Sequence, residues 1–260
     1  MFPIRRYFGG GRHLDLRLPF KKGLVRDLVF PRLCPGCRGP GGDFFLCTRC
    51  RAQLIPFEAP HCTACGRAFP RGGTDSHLCP DCLNQTPCIS HVRAAFVYRD
   101  LLKVLLPRFK YTARFSMVKG FERALFQAFE AQFDPPPDCL IPIPLHPRRL
   151  CQRGFNQAYV LMRHFPEFYR QAHGGEPPWE ILTRTLVRLR HTPPQTGFDP
   201  KARRQNIQGA FGLDRPHDVQ DRHILLVDDV YTTGATANEA ARILLAAGAA
   251  RVDALVLARA

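Results

Sequence analysis

ILLVDDVYTTGAT, residues 224–236, is the stretch whose reading decides the fold. Four apolar residues lead into Asp228 and Asp229 and then into a small, hydroxyl-rich turn. A helical pattern follows from Thr236 to Ala247, with Gly248 as its stop. This order describes a buried parallel strand, a loop at its carboxyl end and a helix N-terminus, the place where open α/β sheets bind ligands. Backbone N–H groups of the turn and first helical turn converge on a point suited to an anionic phosphate. Gly234 lets the backbone approach closely, while Thr232, Thr233 and Thr236 add hydroxyl donors. Asp228 and Asp229 would repel a phosphate. They suit neighbouring sugar hydroxyls, or a Mg²⁺ ion that prefers oxygen ligands.

Other segments supply the rest of such a sheet. Residues 91–98 read as a strand and residues 99–111 as a helix bent or ended near Pro107. A second helix runs from Ser116 through Phe133 until the Pro135–Pro137 run. Lys110, at the end of the first helix, reads as a solvated helix-terminal cation. Cys139–Leu145 is a short buried strand, followed by the basic loop His146, Pro147, Arg148, Arg149 and Arg153, then a helix capped by Asn156. If the strands are parallel, this loop shares an edge with the opening stretch, as a clamp for a second phosphate would. Residues 182–189 read as a strand. Residues 191–208 form a long, basic, Pro/Gly-bearing segment of the kind that serves as a lid. Residues 222–227 and 252–258 complete the strand set, and alternation with helices implies right-handed parallel crossovers.

Upstream lie four C-x-x-C pairs: Cys34/Cys37, Cys47/Cys50, Cys62/Cys65 and Cys79/Cys82. A C-x-x-C knuckle is a tight turn that aims two thiolates at one point, and two knuckles close a tetrahedral site. Four pairs in so short a span point to two structural zinc ions, with an iron–sulfur cluster or one lost site as rival readings. Sequential pairing is the simplest arrangement, and crossed pairing stays open. His61 and His77 read as surface residues. Cys88, Cys139 and Cys151 read as ordinary thiols. With few large apolar residues in this module, metal must supply much of its folding energy.

The net charge of +15 in 260 residues fits a polyanionic partner, either nucleic acid or a phosphorylated small molecule. No apolar window is long enough for a membrane span, and the N-terminus lacks the pattern of a secretory signal, so a cytoplasmic location is expected. Residues 1–22 are expected to be disordered and residues 23–30 to form a short helix. The expected domains are a double zinc ribbon over 23–88 and an α/β domain over 89–260.

Taken together, these residues resemble a known family. ILLVDDVYTTGAT looks like the phosphoribosyl pyrophosphate (PRPP) signature of type I phosphoribosyltransferases. FPRLCPGC, CTACG, CPDC, RFKY, IPIPLHPRR, RGFNQA, TPPQTGF and RRQNIQGAF resemble the ComF family, over about residues 24–259. Its members join a cysteine-rich zinc domain to a phosphoribosyltransferase-like domain and include bacterial competence proteins linked to DNA uptake. The resemblance implies an α/β fold: a Rossmann-like parallel sheet of the type I phosphoribosyltransferase kind with a small N-terminal zinc-ribbon domain. It implies that Asp228 and Asp229 bind the ribose hydroxyls and that Thr232, Thr233, Gly234, Ala235 and Thr236 hold the 5′-phosphate. His146, Pro147, Arg148 and Arg149 would bind pyrophosphate. Lys201, Arg203 and Arg204, in the equivalent of a flexible catalytic loop, would reach the departing pyrophosphate. The implied cofactors are Mg²⁺ with PRPP and two structural Zn²⁺. Single-stranded DNA and competence helicase-type proteins are implied as further partners.

Three functions follow as alternatives. The chain is a phosphoribosyltransferase-like protein that binds PRPP, with an acceptor the sequence does not name; or a nucleic-acid-binding competence accessory protein; or a non-catalytic PRPP or nucleotide sensor. The absence of a recognisable nucleophile–base pair agrees with the first, because pyrophosphate departure from ribose needs positioning and charge neutralisation above all.

Overall fold

A computed structural model describes residues 33–42, 45–70, 75–112, 115–192 and 200–260. The expectations for residues 1–22 and 23–30 lie outside the described residues. In chain order the strands are β1 (Val92–Val97), β2 (Cys139–Pro142), β3 (Glu180–Ile181), β4 (Leu186–Arg188), β5 (Phe211–Leu213), β6 (His223–Tyr231) and β7 (Arg251–Arg259). The helices are α1 (Thr48–Arg51), α2 (Pro80–Asn84), α3 (Leu101–Thr112), α4 (Phe115–Gln132), α5 (Pro147–Arg153), α6 (Gln157–Val160), α7 (Phe165–His173), α8 (Pro200–Ile207) and α9 (Ala235–Ala246). Five strands form one parallel sheet in the order β1-β7-β6-β2-β3, and β4 and β5 form a separate antiparallel pair.

The opening stretch lies at the centre of that sheet. β6 is paired in parallel with β2 on one side and β7 on the other, with Leu226 opposite Ile141 and Ala254. Its side chains alternate between faces, as a strand requires. Ile224 and Leu226 enter one core, and Leu225 and Val227 enter the other. The first core is closed by α9, through Ala237, Ala240, Ala241 and Leu244, and by Cys62, Cys65, Cys79 and Cys82. The second is closed by Leu102, Leu105, Leu106 and Phe109 of α3 and by Phe121, Leu125 and Phe129 of α4, together with Cys34, Phe45, Leu46 and Cys50. The two halves of the cysteine module thus cover opposite faces of the sheet. Their connector also covers the β1 edge, where Phe57 N–H meets Ala95 O at 3.1 Å and Val97 N–H meets Ile55 O at 2.9 Å. An open strand edge would otherwise invite pairing with another chain.

Some sequence expectations need correction. Pro107 does not end α3, which continues to Thr112. Pro107 and Lys103, whose carbonyl it leaves without an N–H partner, lie on the exposed face, where water can satisfy the group. Of the expected strand at 182–189 only Leu186–Arg188 (β4) forms, and it pairs with β5 and not with the main sheet, whose edge strand is the earlier Glu180–Ile181 (β3). The loop after β2 turns into α5 at once, because His146 Nδ1 accepts from Arg148 N–H at 3.2 Å and Pro147 occupies the first turn. Gly154, at φ 80°, ends that helix. No helix among the described residues is long and apolar enough to cross a membrane.

At the amino end of the sheet, buried Asp253 ties three strands together. It accepts from His91 N–H at 2.9 Å, meets His223 Nε2 at 2.9 Å and lies 2.7 Å from Arg251 Nη2. Burial alone would raise its pKa, but His223 and Arg251 outweigh burial and hold the carboxyl below its ordinary value.

Contact between the cysteine module and α4 is close enough to test. A Cβ on Gly120 would lie 1.7 Å from Phe45 Cδ1, and Phe45 is itself held edge-on to Phe121 at 5.0 Å. Helix propensity alone favours Gly120→Ala by about 1 kcal/mol. Overpacking a filled core costs roughly 1–3 kcal/mol and is expected to win. Thermal unfolding of Gly120→Ala should show a lower Tm than wild type, and a higher one would mean that Phe45 can step aside.

Candidate functional site

The eight cysteines group sequentially: Cys34, Cys37, Cys47 and Cys50 form one set, and Cys62, Cys65, Cys79 and Cys82 the other. This excludes the crossed pairing. Within each set the sulfurs all lie within 4.8 Å of one another. Zinc–sulfur bonds of about 2.3 Å in a tetrahedron place sulfurs about 3.8 Å apart. The Cys37–Cys47 and Cys65–Cys79 separations are 3.7 Å and 3.8 Å. The donor sets therefore fit two closed Cys₄ zinc sites. The two knuckle systems also repeat one hydrogen bond, since Cys47 N–H points at Cys34 Sγ and Cys79 N–H at Cys62 Sγ. Burial opposes ionisation of Cys34 and Cys62, but backbone N–H groups outweigh it and hold both thiols down at about 6.

The histidines of this module are not ligands in either set. His77 is exposed and stacks on Phe69, whereas His61 is half-buried against Phe57 rather than a surface residue. Of the other cysteines, Cys139 is buried in β2, where burial pushes its thiol up to about 12, and Cys151 is exposed.

At the carboxyl end of β6 the chain makes the expected turn. Gly234 adopts φ 77°, and a Cβ there would sit 2.1 Å from the Tyr231 hydroxyl, so both backbone and space require glycine. Ala235 N–H meets Thr233 Oγ1 at 3.4 Å, and Asn238 Nδ2 donates to Gly234 O at 3.0 Å. The first turn of α9 presents N–H groups that a helix cannot satisfy internally, beside its positive dipole end. Asp228, Thr232, Gly234, Ala235 and Thr236 line a cavity of about 50 Å³ there. This is the arrangement a phosphate would use.

Asp228 and Asp229 adjoin this cradle. Asp229 is 4 % exposed, and its N–H donates to Asp228 Oδ1 at 2.8 Å. Burial first, and the neighbouring Asp229 second, push Asp228 well above the ordinary carboxylate range. Lys110 relieves part of this repulsion. Its Nζ lies 2.7 Å from Asp229 Oδ2, and the attraction of Asp229 outweighs burial and raises the lysine pKa. Lys110 is thus a member of the acidic site and not a solvated helix terminus. Its helix carries it across the sheet edge, a placement that local sequence does not show.

Because β2 and β6 are parallel neighbours, the His146–Arg149 segment emerges on the same edge as the acidic pair. Arg149 Nη2 donates to Thr192 O at 3.0 Å. Arg188 of β4 donates to Thr192 Oγ1 at 2.6 Å, and its guanidinium lies 5.4 Å from the Phe211 ring centroid. Burial and then Arg149 lower the Arg188 pKa to about 10, while Asp228 acts in the other direction. His146 is likewise held below its ordinary value, by desolvation and then by His191, Arg148, Arg188 and Arg149. The cluster is a field of positive charge facing the acidic pair. Sequence reading missed Arg188 because it lies in a strand with no motif around it; the surrounding hairpin brings it in.

Part of the lid-like segment is the helix α8, which carries Lys201, Arg203 and Arg204. The side chains of these three, and residues 193–199, lie outside the described residues. The helix is followed by Gly209, whose N–H donates to Glu239 Oε1 of α9 at 2.8 Å. Gln205, Ile207 and Gln208 share a cleft of about 660 Å³ with Cys65, Cys82, Thr232, Thr233 and Arg259.

Metal analysis of the full chain is expected to find two zinc ions per chain. Cys37→Ser and Cys82→Ser should each remove one, and loss of both ions from a single substitution would contradict two independent sites. Lys110→Met should destabilise the fold by about 1–3 kcal/mol in urea unfolding, less than the loss of a fully buried pair because Lys110 is partly solvated.

Two family models match the chain: a double zinc ribbon domain over residues 25–83 and a phosphoribosyl transferase domain over residues 172–260. A protein of Salmonella typhi named DNA utilization protein YhgH is 33% identical over 238 residues, covering 89% of this chain and 99% of its own. Competence protein F of Haemophilus influenzae is 31% identical over 220 residues, covering 83% of this chain and 90% of its own. Competence protein ComFC of Bacillus subtilis is 29% identical over 224 residues, covering 84% and 85%. With paired Cys₄ knuckles, a parallel sheet and a glycine-bearing turn into a helix after its central strand, the chain belongs to the ComF family, which joins a double zinc ribbon to a phosphoribosyltransferase domain.

Proposed function

We propose that this protein binds PRPP with Mg²⁺ and acts as a phosphoribosyltransferase. The observation that carries this reading is the shared sheet edge: a phosphate-cradling turn, an acidic pair and a cluster of cations all adjoin the carboxyl ends of β2 and β6. A monophosphate would need only the turn. The separate basic cluster at Arg149 and Arg188 suits a second, more highly charged phosphate group.

In this reading the Thr232–Thr236 turn holds the 5′-phosphate, and Asp228 and Asp229 accept hydrogen bonds from the ribose hydroxyls. The segment His146–Arg149, with Arg188, holds the pyrophosphate. Asp228 and Asp229 also offer oxygen ligands to Mg²⁺, which would supply further charge neutralisation at the pyrophosphate. The bond from ribose C1 to the pyrophosphate oxygen breaks with its electron pair leaving on pyrophosphate, and C1 bonds to the acceptor. The guanidinium groups stabilise the charge that develops on the leaving oxygen, while Lys201, Arg203 or Arg204 of α8 could close over it. Deprotonation of Asp228 favours both ribose and metal binding. Because its pKa is raised in the free protein, affinity should rise with pH up to that raised value and binding should release protons.

The names of the relatives support a link to DNA handling. As a second reading, the basic edge takes single-stranded DNA through its phosphates. That affinity would fall steeply with salt as counterions are released, and a gel shift with no retardation at low salt would reject it.

Calorimetric titration of Mg²⁺·PRPP tests the main proposal. Wild type should bind, and Asp228→Asn with Asp229→Asn should abolish the signal; unchanged affinity in that double variant would sink the ribose assignment. Arg188→Ala should weaken PRPP about tenfold, the ~1.4 kcal/mol of one charge-assisted contact. It should leave ribose 5-phosphate unaffected. Equal weakening of both ligands would remove Arg188 from the pyrophosphate site.

A further inference from the structure

Arg259, the last residue of β7, borders the cleft beside Thr232 and Thr233 but has no role in the chemistry proposed above; it is 5 % exposed and held by several hydrogen bonds. Its Nε donates to Cys65 O at 2.6 Å, and its Nη2 lies 3.7 Å from Cys65 Sγ. Nη1 donates to Thr232 O at 3.0 Å, to Tyr231 O at 3.3 Å and to Ala260 O. The guanidinium also sits 5.0 Å from the centroid of the Tyr231 ring. One side chain therefore joins the third knuckle to the backbone of the phosphate turn. A buried cation held on several carbonyls is rigid, because displacing it would strand both charge and acceptors away from water.

A second connection runs parallel to the first. Asn238 of α9 accepts from Cys88 N–H at 2.9 Å and Ile89 N–H at 3.4 Å, just beyond the fourth knuckle. Its Nδ2 donates to Gly234 O at 3.0 Å and to the Tyr231 hydroxyl at 3.1 Å. Tyr231 in turn fills the space that a Cβ on Gly234 would need. Tyr231, Thr232 and Gly234 are thus braced from the ribbon side, through two residues far apart in sequence. No equivalent link from the first cysteine set to this turn occurs among the described hydrogen bonds.

We propose that Arg259 is a positioning residue that makes the second zinc ribbon the support of the phosphate turn, so that order at Cys62, Cys65, Cys79 and Cys82 sets the geometry at Tyr231–Thr236. The affinity part of this inference rests on the PRPP reading; the structural coupling does not. A zinc ribbon in this position acts as more than a folding aid, because its loss would loosen the anion cradle while the sheet beneath it stays formed.

Hydrogen exchange of the full-length, ligand-free protein tests the coupling directly. In Arg259→Met, amides of the 231–236 turn should exchange about tenfold faster, while those of α4 stay unchanged as an internal reference. Arg259→Lys, which keeps charge but cannot span the same acceptors, should fall between. Cys82→Ser, checked by metal analysis to have lost the second zinc, should speed the same turn.

Unchanged exchange at the turn in Arg259→Met and Cys82→Ser would overturn the proposal. So would equal acceleration in α4, which would signal general unfolding. If Arg259→Met does not fold, Arg259→Lys and Cys82→Ser decide by the same criteria. In calorimetry, Arg259→Met should weaken ribose 5-phosphate about tenfold and leave inorganic pyrophosphate unaffected. A faster turn in a protein whose wild type binds no ribose phosphate would refute the PRPP reading and leave the coupling standing.

Discussion

β6 is buried on both faces, and most of the molecule follows from that constraint. A parallel strand with two apolar faces needs cover above and below. Here α9 and the second cysteine set close one side, while α3, α4 and the first cysteine set close the other. With its faces and both edges occupied, β6 can present chemistry only at its end. That is where Asp228, Asp229 and the turn through Gly234 leave the sheet. The zinc ribbons are therefore part of the cover on both faces of the strand.

Electrostatics at this end are arranged in opposition. The turn and helix N-terminus favour anions, the acidic pair disfavours them, and the arginines around Thr192 favour them again. Lys110 Nζ lies 2.7 Å from Asp229 Oδ2 and offsets part of the repulsion between the two carboxylates. Without that cation, two adjacent carboxylates in a partly buried site would favour sharing a proton. Alternating sign over a short distance is suited to a ligand that alternates too, with phosphate, sugar hydroxyls and a second phosphate in series.

The cysteine module and the sheet are coupled through polar contacts as well as apolar ones. Apolar packing of Phe45 against Gly120 and Phe121 fixes the first set on α4. The second set meets the turn after β6 through Arg259, which bonds Cys65 O and Thr232 O, and Asn238 ties the same turn to the backbone at Cys88 and Ile89.

Local chemistry was sufficient for much of this molecule. The run from Ile224 to Thr236 carries its own strand, turn and helix signals, and C-x-x-C spacing by itself aims two sulfurs at one point. The turn at Gly234 and the existence of two Cys₄ sites were therefore legible from neighbours in sequence. Long-range placement decided what remained. The ion pair of Lys110 with Asp229, the entry of Arg188 beside Arg149 and the bracing by Arg259 each join residues that only the tertiary fold brings together. A cation at a helix end or in a short strand has no local pattern that reveals its partner. Its role is set by which carbonyls and carboxylates the fold leaves within reach, and that is a property of the tertiary structure alone.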